Sequence, residues 1–214
     1  MSADLDQKLS HIFDAARALR AATASFHETA DERARVEALG RAVDVADALA
    51  DEDERGERLM RCGDLLGELG GPAALTLLVR LLDDDDPGVR VSAGEALLDL
   101  GHSRYAEVAR AFEKAIDEGK RTAALAEIPY LLAEIGEPGG VKLCTKLLKH
   151  AEPDVVGAAI EALASLGDAT AIKDLEKLRN DKRPVPQEEE LDSGEFTVGE
   201  LAADAVEHLR SLRG

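Results

Sequence analysis

The chain has 214 residues, 44 acidic against 26 basic, a formal net charge of −18 and an aromatic content of 3%. That balance excludes the basic stripe with which nucleic-acid binders displace counterions. The opening Met-Ser-Ala-Asp-Leu-Asp lacks the basic start and apolar stretch of a secretory leader, and no run reaches the ~18 apolar residues of a membrane span, so a cytoplasmic protein is expected.

Residues 3–26 form one long helical pattern. Leu5, Leu9, Ile12, Ala16, Leu19, Thr23 and Phe26 fall at alternating steps of four and three, a heptad-like seam. Two uses are open: a cap for the end of a repeat stack, or a self-association or partner-binding helix. Thr29 and Glu32 then have the spacing of a capping box that opens a helix through Val36, Leu39, Val43, Ala46 and Leu49. Paired with residues 54–69, it makes a first, degenerate hairpin.

From Gly71 the chain repeats itself. Gly71–Gly101 returns in altered form at Glu137–Gly167, and units close on Gly70, Gly101, Gly136 and Gly167, spaced by 31, 35 and 31 residues. Each unit holds two short helical patterns. Leu77, Leu78, Leu81 and Leu82 mark the first, and Val89, Ala93, Ala96, Leu97 and Leu100 the second, at the spacing of one apolar helix face. Pro72, Pro87, Pro138 and Pro153 mark helix starts, where a missing N–H costs nothing. Pro129 falls inside a second helix, where a kink or a delayed start is expected. Residues 180–196 interrupt the last unit with a polar, proline-containing stretch, a loop long enough to be a docking element or disordered, before Thr197 and Glu200 supply another capping box.

Asp86-Pro-x-Val-Arg-x-x-Ala-x-x-Ala-Leu97 resembles the HEAT-repeat family, in the short variety first named from phycobilisome lyases. The resemblance implies an all-α, curved right-handed α-solenoid of stacked helical hairpins with an N-terminal capping helix. Residues 1–52 would form the cap and the first half of the degenerate hairpin, and 53–214 the array, together one elongated domain. The family arginine, Arg90, becomes Val156 two units later and Leu125 in the unit between, which breaks the expected ladder of Asp and Arg between repeats. Cys62 and Cys144, about two units apart, would lie beyond disulfide reach.

Used as a ruler, the repeat sorts the charge. Turns within hairpins carry most of the negative excess, including Asp51–Glu54 and Asp83–Asp86, whereas turns between hairpins are nearly neutral. The outward positions of the second helices, equivalent to Ser92, Glu95 and Asp99, are mostly acidic, and in stacks of this kind that helix lines the concave face. Glu95, Asp99, Glu127, Tyr130, Glu134 and Glu161 are contiguous across three repeats and form the candidate partner-binding set.

Catalytic chemistry finds no foothold. The five histidines are scattered, no His-Glu-x-x-His or Cys-x-x-Cys occurs, and Asp83–Asp86 lacks the glycine and terminal glutamate of a calcium loop. Neither catalytic residues, cofactor nor metal is expected. The reading is a non-enzymatic scaffold or adaptor for a protein with a basic surface or segment, such as a bacterial signalling or regulatory protein. The alternative is a lyase-like or cofactor-handling protein of the phycobilisome-lyase type. Neither the partner nor the oligomeric state is set by the residues.

Overall fold

In the computed structural model, residues 2–29, 31–119, 121–185 and 196–212 are described. Among the described residues ten α-helices follow one another: α1 (Ser2–Thr29), α2 (Glu32–Ala46), α3 (Glu52–Leu69), α4 (Gly71–Leu81), α5 (Pro87–Glu118), α6 (Thr122–Ile135), α7 (Gly139–Leu147), α8 (Pro153–Leu166), α9 (Ile172–Leu175) and α10 (Val198–Ser211). Among the described residues no strand forms, and the one bridge of β type joins Pro184 to Thr197.

The helices make an α-solenoid of two layers. The second helices α3, α5, α6, α8 and α10 stack in sequence, and the first helices α2, α4, the end of α5 and α7 pack behind them. Most are too short to persist alone. Their stability comes from one apolar seam, running from Val36 through Leu59, Leu78, Leu97, Phe112, Ile128, Leu147 and Leu163 to Leu209, that neighbouring repeats close over.

Local signals explain most boundaries. Asp51 accepts from the Glu54 amide at 3.0 Å, Asp86 from Gly88 at 2.8 Å and Asp168 from Thr170 at 2.8 Å. Thr197 and Glu200 close the expected capping box. The box expected at Thr29 does not form. Thr29 is the last residue of α1, so its backbone is helical; Asp31, at φ −67° and ψ 161°, becomes the N-cap of α2 and accepts from Ala34. Pro129 neither delays nor breaks α6, which starts at Thr122 and runs through it to Ile135.

One repeat boundary differs from the pattern. Gly70, Gly136 and Gly167 end helices at positive φ, but Gly101 lies inside α5, which carries the second helix of one hairpin into the first helix of the next across a kink at Arg104 (φ −139°, ψ 41°). Gly101 is required for another reason. A Cβ there would sit 2.3 Å from Ile135 Cδ1, so this glycine lets α5 and α6 approach closely.

The two ends of the chain are held differently. α1 attaches by its last two turns: Phe26 packs on the core, Arg61 donates to Thr23 Oγ1 at 2.6 Å, and His27 pairs with Glu68 at 2.6 Å. Residues 4–22 are exposed throughout, so the helix caps with its end and projects the rest of its seam into solvent. Near the other end, the stem of the 180–196 insertion is zipped, with Val185 N–H on Phe196 O at 2.9 Å, Val198 N–H on Arg183 O at 3.0 Å and Gly199 N–H on Asp181 O at 2.9 Å. Residues 186–195 lie outside the described residues, and with them most of the segment read as a docking element.

Candidate functional site

The acidic turn at Asp83–Asp86 is largely consumed by the fold. Asp84, with its side chain 8% exposed, takes both guanidinium nitrogens of Arg55 from the preceding repeat at 3.0 and 2.6 Å. The hydrogen bond from Arg55 to Asp84 is the main reason that the guanidinium holds its proton above its ordinary pKa. Asp83 reaches the following repeat, accepting from Ala124 N–H at 3.2 Å, and so caps α6, whose own N-cap residue Arg121 supplies no side-chain acceptor. Asp86 caps α5. Only Asp85 of this run is exposed and without an ion-pair partner among the described residues.

The interrupted ladder is rebuilt by other residues. Arg90 donates to the turn carbonyls of Asp84 at 2.9 Å and Asp85 at 3.1 Å. In the matching unit Val156 is fully buried, and Arg183 arrives from the insertion stem to donate to His150 O at 3.1 Å and Ala151 O at 2.6 Å, the equivalent carbonyls. Asp181 orients Arg183, and that hydrogen bond keeps the Asp181 carboxyl below its usual range. Behind the second helices, Arg80 bridges to Asp44 and Asp47 of the previous repeat at 2.7 and 2.5 Å. Lys146, at the same repeat position two units on, bridges to Glu113 and Asp117 at 2.8 and 3.0 Å.

What this leaves is the face of the second helices. Asp64, Gly67 and Glu68 of α3 and Ser92, Glu95, Ala96, Asp99, Leu100 and Ser103 of α5 line a groove of about 450 Å³. Its floor is close-packed: a Cβ on Gly67 would lie 2.9 Å from that of Ala96. Arg61 partly neutralises Asp64 at 3.2 Å and His27 sits on Glu68, but among the described residues no cation lies within ion-pair distance of Glu95 or Asp99. The other four sequence-selected residues lie further along. Glu127 has Arg90 at 3.9 Å, Tyr130 donates to Glu161 at 2.9 Å, and Glu134 is exposed on α6. Glu95 and Asp99 therefore share a groove, Tyr130 and Glu161 share a hydrogen bond, and Glu127 is drawn toward its own scaffold. Asp64 and Glu68 were absent from the selected set, although the same repeat arithmetic that chose Glu95 and Asp99 marks them as equivalents.

A second, apolar groove of about 610 Å³ lies between α2 and α4, lined by Val36, Gly40, Gly71, Pro72, Ala73 and Leu77. Cys62 and Cys144 are buried and unpaired with each other, and desolvation pushes the Cys144 thiol up to about 12, which makes it a packing residue rather than a nucleophile. Among the described residues no three metal-ligating side chains converge, and no helix is long and apolar enough to cross a membrane.

Residues 120–191 match the profile of HEAT repeats. That stretch, about a third of the chain, has the character of HEAT repeats. The phycobilisome-lyase variety is not distinguished by that match. Similar solved structures include an engineered protein, 21% identical over 86% of this chain and 93% of that one with a TM-score of 0.34. A designed armadillo repeat protein is 23% identical over 82% and 86%, with a TM-score of 0.36. No curated protein sequence matches this one. HEAT and armadillo-like repeats commonly mediate protein–protein interaction.

Proposed function

We propose that this α-solenoid is a non-enzymatic scaffold or adaptor that binds a basic helix, tail or protein face along its second helices. The supporting observation is the groove between α3 and α5, where among the described residues Glu95 and Asp99 have no cation within ion-pair distance while Arg55, Arg80, Lys146 and Arg183 are committed elsewhere. A basic partner supplies the counter-charge that the fold withholds. Glu127, Tyr130, Glu134 and Glu161 extend the same surface, with Tyr130 held to Glu161 as an amphipathic contact. Electrostatics of this kind set orientation and association rate more than final affinity.

The test is paired capture from a native extract at low salt, on the wild-type chain and on the Glu95→Lys, Glu127→Lys, Glu161→Lys variant. Proteins retained by the first, released by salt and lost from the second are expected. Identical retention by both would remove this face from the account. A chromophore co-purifying with the chain from its own cells would instead favour the lyase-like alternative.

A further inference from the structure

The projecting part of α1 has a specific self-complementarity. Leu5, Leu9, Ile12 and Leu19 are 57%, 49%, 61% and 53% exposed and lie on one stripe, with Phe13 at 60% beside them. Monomeric proteins rarely leave such a stripe uncovered, and a helix in water is stabilised chiefly by what its apolar face packs against. The question is which occupant fits.

Charge answers it. In heptad register the seam residues alternate between the two core positions, and Asp6, Phe13 and Arg20 fall on one flank of it at successive turns of the repeat. Laying a second copy antiparallel, with the two-fold axis at Phe13, brings Asp6 of each copy opposite Arg20 of the other. The same register stacks Phe13 on its own counterpart. The core layers of the same pairing, centred one residue on, set Leu9 against Leu19 and Ile12 against Ala16. The exposed seam from Leu9 to Leu19 is then covered. A parallel pairing loses all of this: the flank would then face positions five residues earlier on the partner, setting Phe13 beside Lys8 and Arg20 beside Ala15.

We propose that α1 is a homodimerisation helix, pairing antiparallel with α1 of a second copy about a two-fold axis at Phe13. Such an isologous contact closes on itself and gives a dimer. Its consequence is two binding faces on one particle, so that a partner with two basic segments would be held by both.

Sedimentation equilibrium of the full chain tests the assembly. The wild type should sediment as a dimer and Ile12→Asp as a monomer, with the same thermal melting of the helical array in both, because residue 12 touches solvent and not the core. Asp6→Arg and Arg20→Asp should each raise the dimer Kd about tenfold, and the two changes together should restore it. Orientation is read by oxidation: Phe13→Cys should give a covalent dimer and Leu5→Cys should not, the native thiols being buried. A monomeric wild type at tens of micromolar, which would leave the stripe to a different protein, overturns the proposal. So does a dimer indifferent to Ile12→Asp, and cross-linking through Leu5→Cys instead of Phe13→Cys overturns the antiparallel register.

Discussion

The turn before α5 and the groove between α3 and α5 each hold four carboxylates, Asp83–Asp86 and Asp64, Glu68, Glu95 and Asp99. In the turn, one aspartate binds an arginine of the previous repeat, one caps the helix of the next, and one caps its own. In the groove, Asp64 meets Arg61 and Glu68 meets His27, whereas among the described residues Glu95 and Asp99 have no ion-pair partner. Formal charge is the same in both places, but its availability is not. A negative net charge therefore says little about binding until each carboxylate has been assigned a partner, and the second-helix face emerges as a candidate because its carboxylates are less occupied than those of this turn.

Substitutions should separate the two regions. Asp84→Ala leaves Arg55 without its principal partner in a largely buried place, and a loss of about 2 kcal/mol is expected, lowering Tm by roughly 4–8 °C. Calorimetry showing no change would mean that the turn carboxylates are as dispensable as surface charges. Arg183→Ala removes the guanidinium from the His150 and Ala151 carbonyls, a cost of about 1–2 kcal/mol. Faster hydrogen exchange at the Val185 and Gly199 amides should localise the damage to the insertion stem, and unchanged protection there would refute the substitution of Arg183 for the missing family arginine. Asp83→Ala uncaps α6 from across a repeat boundary, costing about 1 kcal/mol by urea denaturation. In the groove, Glu95→Gln with Asp99→Asn should move stability by no more than about 0.5 kcal/mol.

Acid sharpens the same contrast. Lys146 holds Glu113, Arg183 holds Asp181 and the Thr197 amide holds Glu200 below their ordinary carboxylate values. Each group takes up its proton more readily unfolded than folded, so its contribution is complete above the unfolded value near pH 4 and disappears as pH falls through the lower folded value. Stability should therefore decline across that window, and decline less in Arg183→Ala, which has already lost one of the pairs.

The period of the sequence carried the architecture. Apolar faces, proline starts and closing glycines placed almost every helix because these signals are local. Non-local packing governed the departures. Gly101 reads as a helix end until Ile135 is seen against it, Thr29 reads as a cap until α1 is seen to run through it, and Val156 reads as a gap in the ladder until the stem delivers Arg183. The candidate face was half visible for the same reason. Repeat arithmetic points Glu95 and Asp99 outward, but which carboxylates are already satisfied depends on arginines about a repeat away in sequence.

The central claim is that groove carboxylates bind and turn carboxylates hold the fold. It is tested most directly by the Kd of the captured basic partner, at low and high salt, for the wild type, for Glu95→Gln with Asp99→Asn, and for Asp84→Asn. The groove variant should bind at least about tenfold more weakly with a flatter salt dependence, while Asp84→Asn should melt earlier and bind as the wild type does. Undiminished binding by the groove variant, or loss of binding in folded Asp84→Asn, would contradict the claim.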